Sequence, residues 1–197
     1  MNAIIEIGTN SLKLLIYRTE PDFEAVFDET IITRLSEDYN LYGVICSQAL
    51  YRNIEEIQRC INVAHKYKCK NISLYGTMIF RNASNSKEVL QIILQRTGLK
   101  LNILSGQEEA AYSFQAATQG IHVKNKKALV IDTGGGSTEF IFGEENSLIL
   151  AKSIDVGAVT LTDRFNLMNK VDAIVIKECK KYLQYEFNNI EIDFTPD

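Results

Sequence analysis

Residues 131–140 read Ile-Asp-Thr-Gly-Gly-Gly-Ser-Thr-Glu-Phe: an apolar run closing on an acid, three glycines, then a second apolar run carrying another acid. Three glycines in succession let the backbone approach a ligand closely and take angles that other residues avoid. Their amide hydrogens can then converge on the oxygens of an anion such as phosphate. Asp132 ends the strand expected before the glycines, and Glu139 lies on the strand expected after them. Carboxylates beside a phosphate cradle suit a hard divalent cation, because Mg²⁺ is usually held by one or two carboxylates together with phosphate oxygens. The same residues also fit a glycine-rich hairpin with ordinary surface acids. A Walker A loop and a dinucleotide fingerprint do not fit, since neither a lysine nor a helix follows the glycines.

Working outward, Ala128–Ile131, Thr138–Phe142 and Leu148–Ser153 read as three strands with tight connections, and Ala158–Phe165 and Val171–Phe187 as helices. Towards the N-terminus, Ile4–Tyr17 splits into two apolar runs around Gly8, Thr9, Asn10 and Ser11, which predicts a strand, a tight turn and a second strand. A third strand is expected at Ala25–Thr33. Leu50, Ile54, Ile57, Ile61 and Ala64 recur at helical spacing, and a short strand follows at Ile72–Tyr75. Asn85 with Glu88 forms a capping-box pattern that opens a helix ended by Gly98. After a strand at Leu101–Leu104, Ser105 with Glu108 opens another helix, which closes at Gly120. Strands alternating with helices predict an α/β fold. The polar, basic stretch from Gly120 to Lys127 places a boundary between units 1–122 and 123–197, each beginning with a strand, a glycine-containing turn and a strand.

With 197 residues, 46% of them hydrophobic, the chain can bury a sizeable core in one large or two small domains. A net charge of −4 leaves no electrostatic footprint for DNA, so any phosphate binding has to be local. The four cysteines show no C-x-x-C spacing, and no apolar run approaches the roughly 20 residues of a membrane span. These features point to reduced thiols in a cytoplasmic protein without a membrane segment. Two histidines and no cysteine pairing argue against zinc.

Other residues carry chemistry only in combination. The polar tip Gly8-Thr9-Asn10-Ser11 is common in hairpins, but its likeness to the glycine turn of the second unit suggests two turns gripping one phosphate. Glu108 is accounted for as the N3 partner of Ser105. Glu109, roughly 100° further round the helix, is either a partner of the helix dipole or a catalytic group. Arg81, after a short strand, is either a solvated surface residue or a bidentate phosphate ligand.

Five stretches together, E-I-G-T-N-S-L-K-L-L-I from Glu6, Y-G-T-M-I-F-R-N-A from Tyr75, L-S-G-Q-E-E-A from Leu104, V-I-D-T-G-G-G-S-T-E from Val130 and S-I-D-V-G-A-V-T-L-T-D-R-F from Ser153, resemble the exopolyphosphatase and guanosine pentaphosphate phosphohydrolase family in order and spacing. The resemblance implies ribonuclease H-like, actin-like lobes around a cleft and the Mg²⁺-assisted release of a terminal phosphate from polyphosphate or guanosine pentaphosphate. It puts the catalytic glutamate on Glu109 and the metal-binding acids on Asp132 and Glu139, with Glu6 in the corresponding place of the first turn. It puts phosphate contacts on Asn10, Ser11, Arg81 and the loop Gly134, Gly135, Gly136 and Ser137. An alternative keeps the cradle without turnover, as a phosphate- or nucleotide-binding regulatory module.

The pattern departs from the family at Glu6, where relatives carry aspartate, at Lys13, where they carry arginine, and at Ser36, Asp38 and Tyr39 in a stretch usually rich in glycine. Relatives also continue the second lobe for roughly 100 further residues. The expectation is therefore one complete and one partial lobe, whose open sheet is covered by a missing C-terminal segment or by a second copy in a homodimer.

Overall fold

Strict alternation along residues 2–18 decides the first sheet. Ala3, Ile5 and Ile7 share one buried face with Leu12, Leu14 and Ile16, while Ile4, Glu6, Lys13 and Leu15 between them stay at least partly exposed. The computed structural model describes residues 1–119, 126–145, 147–168 and 171–190. In it these residues form β1 (Asn2–Ile7) and β2 (Ser11–Arg18), antiparallel, with Ile5 opposite Leu14. β3 (Glu24–Ile32) pairs antiparallel with β2. Two short helices come early: α1 (Tyr39–Tyr42), and after the long α2 (Ser47–Lys66) and β4 (Asn71–Gly76), α3 (Met78–Asn82). Then follow α4 (Ser86–Thr97) and β5 (Leu101–Ile103). β4 and β5 run parallel to β1, giving the order β3-β2-β1-β4-β5.

Parallel neighbours need crossover connections, which α2 and α4 supply. Leu50, Ile54, Ile57, Cys60 and Ala64 form the buried stripe of α2 against this sheet. Complete burial of a residue such as Ile57 contributes about 1.5–3 kcal/mol. All four cysteines are free thiols, and burial pushes the Cys60 thiol up to about 11, so it stays protonated at neutral pH. Gly98 ends α4 in the left-handed conformation, as expected. Asn85 differs from expectation: its side chain makes no cap bond to α4. Its Oδ1 accepts from Ile45 N–H at 3.0 Å and its Nδ2 donates to Ile45 O at 2.9 Å, so a tertiary contact has recruited the amide. α1 and α3 were not foreseen, because four or five residues are too few to display a helical period.

The second unit begins with α5 (Gly106–Thr118) and continues with an antiparallel meander of β6 (Lys127–Thr133), β7 (Thr138–Glu144) and β8 (Ser147–Ile154). Ala110 and Phe114 of α5 pack on Ile141, flanked by Ala128, Val130 and Ala151. Gly143 makes this possible, since a Cβ there would lie 2.2 Å from the Phe114 ring. The opposite sheet face meets α6 (Ala158–Phe165) and α7 (Ala173–Asn188) across an apolar groove of about 310 Å³ lined by Ile131, Phe140, Leu161, Leu183 and Phe187. The Asp172 carboxylate caps α7 by accepting from the Ile174 and Val175 amides.

The chain divides into compact units Met1–Ser105 and Gly106–Asp197. The expected boundary between residues 122 and 123 lies outside the described residues, as does the expected helix end at Gly120. α5 belongs with the second unit because its Ala110 and Phe114 pack on Ile141 of the second sheet. Among the described residues, no helix is long and apolar enough to cross a membrane.

Candidate functional site

The glycine loop owes its shape to the start of α6. A helix begins with backbone N–H groups that have no partner within it. Here the Ala158 N–H donates to Gly134 O at 3.0 Å, and the Val159 and Thr160 N–H groups donate to Gly135 O at 2.8 and 3.2 Å. A trans peptide sets its N–H opposite its C=O. With both carbonyls drawn towards α6, the Gly135 and Gly136 amides point away from it, and among the described residues neither has an acceptor. Gly157 lets the helix come this close: a Cβ there would meet Gly135 C and O at 2.5 Å and Gly134 O at 2.7 Å. Thr160 Oγ1 fixes the entry by accepting from Gly157 N–H at 2.7 Å, and Thr138 Oγ1 ties the far side of the loop to Val156 O at 2.6 Å.

The two acids that flank this loop are direct cross-strand partners, Asp132 opposite Glu139, and so lie on the same sheet face. Like charges placed directly opposite each other are destabilising. Glu139 is nonetheless buried, at 8% exposure, and accepts from Ser153 Oγ at 2.9 Å. Asp132 is exposed and accepts from Ser113 Oγ at 2.7 Å. Among the described residues, no lysine or arginine pairs with either acid. Nor do three acidic, histidine or cysteine side chains gather into one cluster. Two uncompensated carboxylates beside outward-facing amides fit Mg²⁺, which completes its shell from phosphate oxygens and water rather than from a protein cage.

On α5 the adjacent glutamates differ. Glu108 is exposed, whereas Glu109 is half-buried and on the helix turn preceding Ser113. The second unit thus brings Asp132, Glu139 and the loop 134–137 together, with Glu109 on the helix that hydrogen-bonds to Asp132.

The first unit repeats the device. Gly8 N–H donates to Ser11 O at 2.9 Å, as Gly134 N–H does to Ser137 O at 2.9 Å. Asn10 O accepts from the Thr33 and Arg34 amides and Thr9 O from the Ser36 amide, so the Asn10 and Ser11 N–H groups face the other way. Arg52 braces the supporting segment through Thr33 O at 2.7 Å and Arg34 O at 3.1 Å. The cross-strand acids have a different counterpart here. Glu6 faces Lys13 across the hairpin and pairs with it at 3.6 Å, so the carboxylate expected to join the metal set has a cation of its own. Arg81 follows the short strand β4, as expected, and is in α3, at the same end of the sheet as the turn; it donates to Leu104 O at 2.7 Å.

Comparison with known proteins places these motifs. The family model described as the Ppx/GppA phosphatase family matches residues 15–193. The chain belongs to the Ppx/GppA phosphatase family. A bifunctional 3-dehydroquinate synthase/phosphatase from Fusobacterium nucleatum is 31% identical over 180 residues, covering 87% of this chain and 27% of that protein. A putative exopolyphosphatase from Haemophilus influenzae is 27% identical, covering 83% and 50%. The crystal structure of an exopolyphosphatase from Cytophaga hutchinsonii superposes with a TM-score of 0.86 at 22% identity, over 94% of this chain and 60% of that one. The Ppx/GppA fold is therefore the fold of this chain. The chain spans half or less of the length of these curated relatives.

Within this Ppx/GppA chain, sequence reasoning missed Gly157, Thr160, Ser113 and Ser153. A glycine preceding a helical period, with threonine three residues on, signals the start of a helix. Nothing in that pattern says that the helix lands on the glycine loop.

Proposed function

We propose that this chain carries the phosphate-releasing centre of a cytoplasmic, Mg²⁺-dependent phosphohydrolase acting on short polyphosphate or guanosine pentaphosphate. The observation that supports it most is the cross-strand pair Asp132–Glu139 beside the outward-turned amides of Gly135 and Gly136. A developing negative charge on a transferring phosphoryl group needs donors already aimed at it, and fixed backbone amides supply them without reorganisation. In this reading the 134–137 loop of the second unit binds the terminal phosphate; Asn10, Ser11 and Arg81 remain the phosphate-binding residues that the family resemblance implies for the first unit. Glu109 accepts a proton from an in-line water. Asp132 and Glu139 would hold the cation, which when bound neutralises charge on the phosphate oxygens. Short substrates are preferred because a net charge of −4 leaves little for a long polyanion to follow. The four free thiols fit a reducing compartment.

One observation favours a second reading, a binding or regulatory module: the Lys13–Glu6 pair occupies the first-unit position that mirrors the acid pair. Phosphate release from tripolyphosphate and from guanosine pentaphosphate, with Mg²⁺ and with excess EDTA, separates the two. The hydrolase reading expects release that EDTA abolishes and that Asp132→Asn lowers by about 10–100-fold, the usual scale for a weakened metal site. Binding of either compound by calorimetry, with no release of phosphate, establishes the module instead.

A further inference from the structure

We propose that Ser113 is a positioning residue: its hydroxyl holds α5 against β6 so that Glu109 and Asp132 keep a fixed separation. The inference rests on the roles just proposed for those two acids.

Three observations carry it. Ser113 Oγ donates to Asp132 Oδ2 at 2.7 Å, a short bond to a charged acceptor and hence of the stronger kind. Ser113 also lies four residues after Glu109, which puts the two on one helix face about 5–6 Å apart at their Cβ atoms. The serine therefore links the helix turn that bears the proton acceptor to the strand that bears the cation-binding acid. Finally, the apolar core of the unit does not include this residue. The core stripe of α5 is Ala110, Phe114 and Thr118, and Ser113 stands beside it.

A serine or threonine inside a helix commonly turns its hydroxyl back onto the carbonyl four residues earlier. Thr118 does so, donating to Phe114 O at 2.7 Å, whereas Ser113 is directed to Asp132. Apolar contacts such as those of Phe114 are non-directional and resist small slides of a helix weakly. A hydrogen bond between one atom of the helix and one of the strand does set the register. Glu139, the cross-strand partner of Asp132, is held in the same manner by Ser153.

The test compares Ser113→Ala, which removes the hydroxyl, with Ser113→Thr, which keeps it. Alanine is the better helix former, so the fold tolerates the first change. Three quantities are read: the melting temperature, kcat and KM for tripolyphosphate release, and cation affinity from the free Mn²⁺ signal in electron paramagnetic resonance. The expected result for Ser113→Ala is a melting temperature lowered by no more than a few degrees and an unchanged KM, with kcat and Mn²⁺ affinity each lowered about 10-fold or more. Ser113→Thr returns both to near the starting value. Parental kcat and Mn²⁺ affinity in Ser113→Ala overturn the proposal, as does a threonine variant as impaired as the alanine one. A parental protein that binds Mn²⁺ without releasing phosphate defeats the hydrolase reading alone, and the Mn²⁺ affinities still decide the role of Ser113. A parental protein that neither binds Mn²⁺ nor releases phosphate overturns both.

Discussion

Glu109→Ala is expected to lower the rate of phosphate release by about 10²–10⁴-fold, the usual contribution of a positioned general base, while Glu108→Ala is expected to leave turnover within a few-fold of the parent. The two residues are neighbours with the same side chain, so composition, net charge and helix content change equally in both variants. They differ in direction: Glu109 is half-buried and four residues before Ser113, which reaches Asp132, whereas Glu108 is exposed. Loss of the base should act on kcat and leave KM for tripolyphosphate little changed, because the proton transfer belongs to the transition state. Steady-state kinetics on the two variants side by side is the check. Equal defects in both, or a defect confined to KM, would remove Glu109 from the role of base.

Gly157→Ala is expected to lower release by about 10²-fold or more, although residue 157 carries no chemistry. Its backbone angles, φ −140° and ψ 178°, are extended and open to any residue, so the penalty is wholly steric. A Cβ at 157 would lie 2.5 Å from Gly135 C and O, and ordinary contact begins near 3.4 Å, so helix and loop must separate by about 1 Å. Nothing flexible is available to give way, because the atoms it meets are backbone. Such a shift stretches the three bonds that draw the Gly134 and Gly135 carbonyls towards α6, and with them the aim of the Gly135 and Gly136 amides. A displacement of about 1 Å at a reacting centre costs on the order of 10²-fold. Gly106→Ala is the control, since a Cβ there meets nothing within 4 Å, and it should leave turnover close to the parent. Full activity in Gly157→Ala would mean that α6 does not shape the loop.

Much of this architecture could be read from the chain. Alternation at 3, 5, 7 and 12, 14, 16 decides β1 and β2, and the glycine turns at 8 and 134 announce the strand-turn-strand motif that each unit contains. The hairpin register even implies the Glu6–Lys13 pairing, because a turn at Gly8–Ser11 sets Ile7 against Leu12 and Glu6 against Lys13. Asn85 shows where local patterns fail: its spacing to Glu88 is that of a capping box, yet the backbone of Ile45, forty residues away, competes for the same amide. The supports of the site are hidden for a related reason. Ser113 looks like surface filler on a helix, and Gly157 looks like a helix start. Their roles come from contacts with Asp132 and Gly135, roughly 20 residues distant in the chain, which spacing alone does not encode.

On the proposed reading, the Gly135 and Gly136 amides, beside the Asp132–Glu139 pair, are where a phosphate and its cation meet this protein. Amide ¹H–¹⁵N spectra recorded while tripolyphosphate is added, with and without Mg²⁺, test it most directly. These two resonances are expected to move furthest when both are present, and Asp132→Asn to remove the Mg²⁺-dependent part. Spectra in which the largest changes fall elsewhere, with Gly135 and Gly136 unmoved at saturation, would contradict it.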